Sequence, residues 1–186
     1  VVFKKDMEDP FTHKKINEDV NVHLEIVLDC SGSMAKNIDG KTMMEIAKQS
    51  IGDVLSKMPE KAKVGLRVFG HKGNNEESGK KESCAACELI HPIDVLDKDK
   101  MNASLQPIRP TGWTCIAKSM EEGVKDLSSF KEEKDLNILF IVTDGIETCG
   151  GDPIAMVNKL KGEHANIVLG IIGFNVDANQ NLILKQ

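Results

Sequence analysis

No stretch of this sequence is apolar for long enough to cross a bilayer, which takes roughly 18 residues. The richest runs, Leu136–Val142 and Ile167–Ile172, are strand-sized. Positive charge is also lacking: 24 basic against 29 acidic residues leave a net charge of −5. That balance argues against non-specific binding to nucleic acid. Aromatic residues are scarce, with one tryptophan and no tyrosine, but 40% of the 186 residues are hydrophobic. Internal repeats, low-complexity tracts and signs of a second domain are absent, so one domain with a full-sized core is expected. The chain opens on Val1 and ends within a helical pattern. It is read as a fragment or a processed form, compatible with a removed signal peptide or anchor.

Five cysteines are present: Cys30, Cys84, Cys87, Cys115 and Cys149. The odd count leaves at least one thiol outside any intramolecular pair. Four of them fall in segments read below as loops, which makes bridging or metal binding plausible for some.

Residues 1–21 are polar, contain Pro10 and show no periodicity; they read as an N-terminal flank to a domain over 22–186. Val22–Leu28 reads as a strand ending at Asp29, and Asp39-Gly40 marks a turn. Thr42 and Glu45 have capping-box spacing. From there Met44, Ala47, Ile51, Val54, Leu55 and Met58 follow at helical spacing until Pro59. Lys63–Phe69 alternates as a half-buried strand. His71–Ser83, rich in Gly, Glu and Lys, reads as a long exposed loop. Glu88–Ile93 reads as an edge strand, because Pro92 bars it from a sheet centre. Helices are expected over Lys98–Leu105 and Thr114–Leu127. Ile138–Val142 has the continuous apolar character of a parallel strand buried on both faces. Asp152-Pro153 reads as an N-cap followed by proline in the first turn of a helix. Ile167–Ile172 is a further strand, and a helix starts at Asn179. Strands alternating with helices predict an α/β fold: a doubly wound, mostly parallel central sheet with helices on both faces.

In such sheets ligands bind beyond the carboxyl ends of the strands. There the sequence places Asp29-x-Ser31-x-Ser33, Thr143-Asp144-Gly145 and the Thr111-Gly112-Trp113-Thr114 loop. Asp29, Ser31, Ser33, Thr114 and Asp144 are all hard oxygen donors. Two carboxylates and three hydroxyls suit a small hard divalent cation such as Mg²⁺, and offer no soft ligand for Zn²⁺ or Cu⁺. A lone Asp-x-Ser-x-Ser would be no more than a turn and a helix cap; it is the coincidence of three such segments that points to a metal.

These three segments resemble the metal-ion-dependent adhesion site of von Willebrand factor A domains, and the resemblance runs over about residues 22–175. Val64-Gly65-Leu66-Arg67-Val68, the stretch from Asp144 to Pro153, and Gly173-Phe174-Asn175-Val176-Asp177 are similar to secreted or surface-attached bacterial members. The resemblance implies that Ser31, Ser33 and Thr114 give hydroxyls to Mg²⁺ (Mn²⁺ or Ca²⁺ in its place), with Asp29 and Asp144 acting largely through bound water. It implies a protein partner presenting a carboxylate as the last ligand, an extracellular or cell-surface location, and no catalysis. Two departures stand out. Cys115 occupies the place where proline usually follows the threonine, and a sixth strand is missing from the sequence. Because Cys30, Cys115 and Cys149 flank the proposed ligands, Cys87–Cys149 is the disulfide expected first and Cys30–Cys115 the second.

Other chemistries fit less well. A haloacid-dehalogenase-type phosphatase would use Asp29 as nucleophile and a second acid two residues on, where this chain has Ser31. Neither Ser31 nor Ser33 lies in Gly-x-Ser-x-Gly. Cys84-Ala-Ala-Cys87 has the spacing of a zinc half-site or redox pair but no second pair to complete it. An intracellular A domain recruiting substrate to an ATPase or assembly complex would keep the fold and change the role. Trp113 is expected to pack beside the site, and Glu147 is not taken as a ligand.

Overall fold

The computed structural model describes residues 20–163 and 166–173. The elements run β1 (Asn21–Asp29), a 3₁₀ turn (Gly32–Ala35), β2 (Asn37–Ile38), β3 (Lys41–Thr42), α1 (Met43–Ser56), β4 (Lys63–Phe69), α2 (Glu77–Ala85) and β5 (Cys87–Val95). They continue with α3 (Lys98–Leu105), α4 (Ile116–Leu127), β6 (Asp135–Thr143), α5 (Pro153–Glu163) and β7 (Ile167–Gly173). Five strands form one sheet in the order β5-β4-β1-β6-β7. Neighbours among β4, β1, β6 and β7 pair in parallel, whereas β5 is antiparallel on the edge. The mostly parallel α/β sheet expected from the sequence is therefore present. The helix expected from Asn179 lies outside the described residues.

Alternation along β1 distributes its side chains between two cores. Leu24, Ile26 and Leu28 join α1 and α3 residues such as Ala47, Ile51 and Met101 on one face. Val27 joins Met120, Val124, Leu127 and Leu160, from α4 and α5, on the other. Each such fully buried side chain contributes about 1.5–3 kcal/mol relative to exposure. Local signals do the rest. Thr42 and Glu45 complete the capping box of α1, Thr42 Oγ1 accepting from Glu45 N at 3.1 Å and Glu45 Oε2 from Thr42 N at 2.7 Å. Asp152 Oδ1 accepts from Ala155 N at 2.9 Å to start α5. Asp39 and Gly40 both take positive φ to close the β2–β3 ribbon.

One expected loop is a helix. From Glu77, inside the expected His71–Ser83 loop, to Ala85 just beyond it, the chain forms α2, a polar element with no apolar stripe to announce it. Its order comes from docking. Glu76 carbonyl oxygen accepts from Trp113 Nε1, Ser83 Oγ from Trp113 N, and Ala85 carbonyl oxygen from Lys118 Nζ.

Beneath α4, Glu25 is fully buried and accepts from Arg67 Nε at 2.7 Å, while Arg67 Nη2 pairs with Asp126. Two carboxylates thus share one guanidinium, and Glu25 Oε2 has no hydrogen-bond partner among the described residues. Gly123 lets α4 lie this close, since a Cβ there would come within 2.5 Å of Leu139. Burial outweighs the pull of Arg67 and pushes the Glu25 carboxyl up to about 7. A raised folded-state pKa means that the folded chain holds this proton more tightly than the unfolded chain. The associated stability is fully present below the ordinary value of 4.5 and is lost as pH rises through about 7. Urea unfolding between pH 5 and 8 should show a decline on the order of 3 kcal/mol from this group. Glu25→Gln should flatten that slope; an unchanged slope would assign it to other groups.

Candidate metal centre

The site forms where the sheet changes direction, between β1, which continues to β4 on one side, and β6 on the other. Register brings the pieces together: Asp29 stands opposite Phe69 of β4, and Leu28 opposite Val142, so Asp29 and Thr143 end adjacent strands. The Asp29 side chain is fully buried. Its Oδ1 accepts from Ser31 N at 2.7 Å and its Oδ2 from Thr143 Oγ1 at 2.6 Å.

After Asp29 the chain turns through a single 3₁₀ turn, with Met34 N donating to Ser31 carbonyl oxygen at 3.0 Å. Met34 is fully buried in the core under α1, which pins the turn and leaves the two serines on the sheet edge. Ser31 Oγ lies 3.0 Å from Ser33 Oγ, and Ser33 Oγ donates to Asp144 Oδ1 at 2.8 Å. Four of the five candidate ligands are thus linked in one network. The fifth, Thr114, is 4% exposed and reaches the same edge: a Cβ on Gly145 would stand 3.7 Å from its Oγ1.

Thr114 is placed by Thr148, a residue the motifs did not single out. Thr148 Oγ1 accepts from Thr114 N at 2.8 Å, and Thr148 N donates to Thr114 carbonyl oxygen at 2.9 Å. Glu147 Oε2 accepts from Ala117 N at 3.0 Å, capping α4 from a distant loop. That helix begins at Ile116 and not at Thr114, because Thr114 and Cys115 belong to the loop. Thr143, two residues before Gly145 in the quoted triplet, holds Asp29. Its only sequence signal was a hydroxyl at a strand end beside an acid. Trp113, expected to pack beside the site, packs on α2, with Lys80 Nζ 4.2 Å from its ring centroid.

The loops carrying Ser31 and Thr114 are laced together through Gly70. Its carbonyl oxygen accepts from Gly112 N at 2.8 Å and from Thr111 Oγ1 at 3.1 Å, while Gly32 N donates to Gly112 carbonyl oxygen at 2.9 Å. Gly70 has φ +69, and a Cβ on it would stand 2.6 Å from Ser31 N. Gly70→Ala should therefore destabilise the fold by at least about 2 kcal/mol, through strain and collision with backbone. A thermal midpoint equal to that of the unsubstituted chain would contradict this.

Electrostatically the site brings two acids together, Asp29 and Asp144. Burial raises the Asp29 carboxyl to about 6, hydrogen bonds from Ser31 and Thr143 oppose that, and the Asp144 carboxylate adds to the rise. Among the described residues, no group of three or more His, Cys, Asp or Glu side chains is placed to hold a metal ion. The donor set is hydroxyl-rich and hard, and it fits a small oxygen-loving cation in company with water.

The cysteines are arranged differently from the pairings expected. The disulfide joins Cys84 to Cys149, not Cys87 to Cys149. Cys84 lies in the last turn of α2, whereas Cys87 opens β5 opposite Phe69, so the two side chains leave the backbone in different directions. Nor are Cys30 and Cys115 bridged; both are free and buried. Cys30 belongs to the core under α1 and Cys115 to the core under α4, on opposite faces of the sheet.

Residues 24–147 match the family model of the von Willebrand factor type A domain. YwmD, an uncharacterized protein of Bacillus subtilis, is 37% identical over 166 residues, which cover 89% of this chain and 74% of YwmD. Manganese-loaded TRAP protein of Plasmodium vivax superposes with a TM-score of 0.65 at 19% identity, over 89% of this chain and 63% of TRAP. Proximal thread matrix protein 1 of the mussel byssus, with a zinc-occupied MIDAS motif, gives 0.61 at 16% identity, over 83% of this chain and 38% of that protein. The chain spans less than two thirds of either solved structure. With the family model covering most of the described sheet, and a relative of this similarity alongside, the chain belongs to the von Willebrand factor type A domain family.

Proposed function

We propose that residues 22–186 act as a divalent-cation-dependent protein-binding domain, with Asp29, Ser31, Ser33, Thr114 and Asp144 holding Mg²⁺, or Mn²⁺ or Ca²⁺ in its place. The observation that carries this is the network Ser31–Ser33–Asp144 beside the buried Asp29 carboxylate. When bound, such a cation supplies a positive centre that accepts a carboxylate from a partner as its last ligand. Ser31 and Ser33 orient their hydroxyls by bonding to each other and to Asp144. Asp29 fixes the Ser31 backbone, and Thr148 fixes Thr114. Manganese in TRAP and zinc in the mussel protein support metal binding by the shared fold. The reading assigns no catalysis. The Cys84–Cys149 disulfide favours an oxidising, extracellular or cell-surface setting over the intracellular recruitment role.

The test is isothermal titration with Mn²⁺ and Mg²⁺, then capture of a carboxylate-presenting protein with Mg²⁺ against chelator. Thr114→Ala should weaken metal binding on the order of 10–100-fold while the thermal midpoint hardly moves. Thr114→Ser should restore most of the affinity. Equal affinity in Thr114→Ala would remove that residue from the ligand set, and no metal binding by the unsubstituted chain would end the proposal.

A further inference from the structure

Below the Thr114 loop a second cluster has no part in the reading above. Cys87, at the start of β5, is partly exposed, and its thiol lies 3.2 Å from Ser119 Oγ and 3.8 Å from Arg67 Nη1. Cys115, which precedes α4 and is 1% exposed, places its thiol 4.0 Å from the same Ser119 Oγ. A guanidinium and a hydroxyl therefore meet the sulfur of a partly exposed cysteine, and a second thiol shares that hydroxyl, surroundings in which a cysteine is nucleophilic.

We propose that Cys87 and Cys115 are a redox-active pair, with Cys87 the attacking thiol and Cys115 the resolving one, oxidised by a small-molecule disulfide RSSR to a second intramolecular bridge. Cys87 thiolate attacks one sulfur of RSSR, forming Cys87–S–SR and releasing RS⁻. Cys115 gives its proton to the released thiolate and attacks Cys87 Sγ, expelling the second RS⁻. Two protein thiols are oxidised, one disulfide is reduced to two thiols, and the bond made ties β5 to the residue that follows Thr114. The Cys115 thiol, with Ser119 and Arg67, holds the Cys87 thiol down to about 6 against burial, which keeps it largely ionised at neutral pH. Cys30, buried under the opposite core with its thiol 3.5 Å from Leu28 carbonyl oxygen, is excluded from the exchange.

The proposal stands whether or not the metal reading does, and its test involves no metal. The full chain, with Cys84–Cys149 intact, is incubated with glutathione disulfide, alkylated in denaturant so that buried thiols are also labelled, and mapped by peptide mass spectrometry. Of the free thiols Cys30, Cys87 and Cys115, only Cys30 should remain alkylatable, with a Cys87–Cys115 peptide and a mass lower by two hydrogens. A chain isolated with that bridge already formed supports the proposal equally. Cys115→Ser should stall as a persistent glutathione adduct on Cys87. In that variant Cys87 should react with a chromogenic aryl disulfide at least about tenfold faster than Cys30. The proposal is overturned if all three thiols persist, if the unsubstituted chain keeps a glutathione adduct on Cys87, or if the new bridge joins Cys84 to Cys87.

Discussion

Removing the Cys84–Cys149 bridge, as in a Cys84→Ser/Cys149→Ser chain, should lower the midpoint of thermal unfolding by on the order of 10 °C. The bond closes a loop across a sequence separation of 65 residues. By the chain-entropy relation a loop of that length is worth about 4 kcal/mol. For a chain of this size each kcal/mol moves the midpoint by about 2–4 °C. The local geometry adds to the effect, because α2 has almost no apolar surface of its own and its buried residues are Gly79 and Ser83. The bridge holds its last turn against the loop carrying Glu147 and Thr148, the residues that cap α4 and fix Thr114. The double variant is preferred to a reductant, which would act on other thiol chemistry as well. A midpoint within about 2 °C of the unsubstituted chain would show that the docking contacts of α2 suffice without the cross-link.

Asp29→Ala should abolish metal binding and also destabilise the fold, which separates it from Thr114→Ala. Both oxygens of Asp29 are occupied within the protein, by Ser31 N and Thr143 Oγ1, and both donors belong to buried residues. Deleting the carboxylate leaves two buried donors without acceptors, at about 1–3 kcal/mol each. Losing a carboxylate that burial already penalises offsets part of that cost, so the net loss should be about 2 kcal/mol. Asp29→Asn keeps one acceptor and should recover some of this stability while still failing to bind metal. Calorimetry showing undiminished Mn²⁺ binding in Asp29→Ala would remove Asp29 from the site. An unchanged urea midpoint would contradict the structural half of the argument.

Much of this architecture could be read from local pattern. Apolar runs located β1, β4, β6 and β7, and the positions of Thr42, Glu45 and Asp152 announced two helix starts that the hydrogen bonds reproduce. Pro92 correctly placed β5 on an edge. The grouping of Asp29, Ser31, Ser33 and Asp144 followed from their positions at the ends of strands that a parallel sheet must align. Failures came where stability is not local. Helix α2 has no periodic apolar face, and its contacts with Trp113 and Lys118 and the Cys84–Cys149 bridge order it. The roles of Gly70, Thr143, Glu147 and Thr148 depend on partners 30 or more residues away in sequence.

The cysteines mark that boundary most clearly. Sequence alone determined that five thiols cannot all pair and that most of them flank the candidate loops. Which of Cys84 and Cys87 meets Cys149 was decided by the end of α2 falling between them, which sends one side chain toward the loop and the other toward Arg67. Cys30 follows Asp29 and Cys115 follows Thr114, neighbouring candidates, yet the sheet itself stands between the two thiols. Spacing along a chain fixes the residues that share an edge. The face each side chain takes is settled only when strands and helices pack, because alternation sends neighbours to opposite sides.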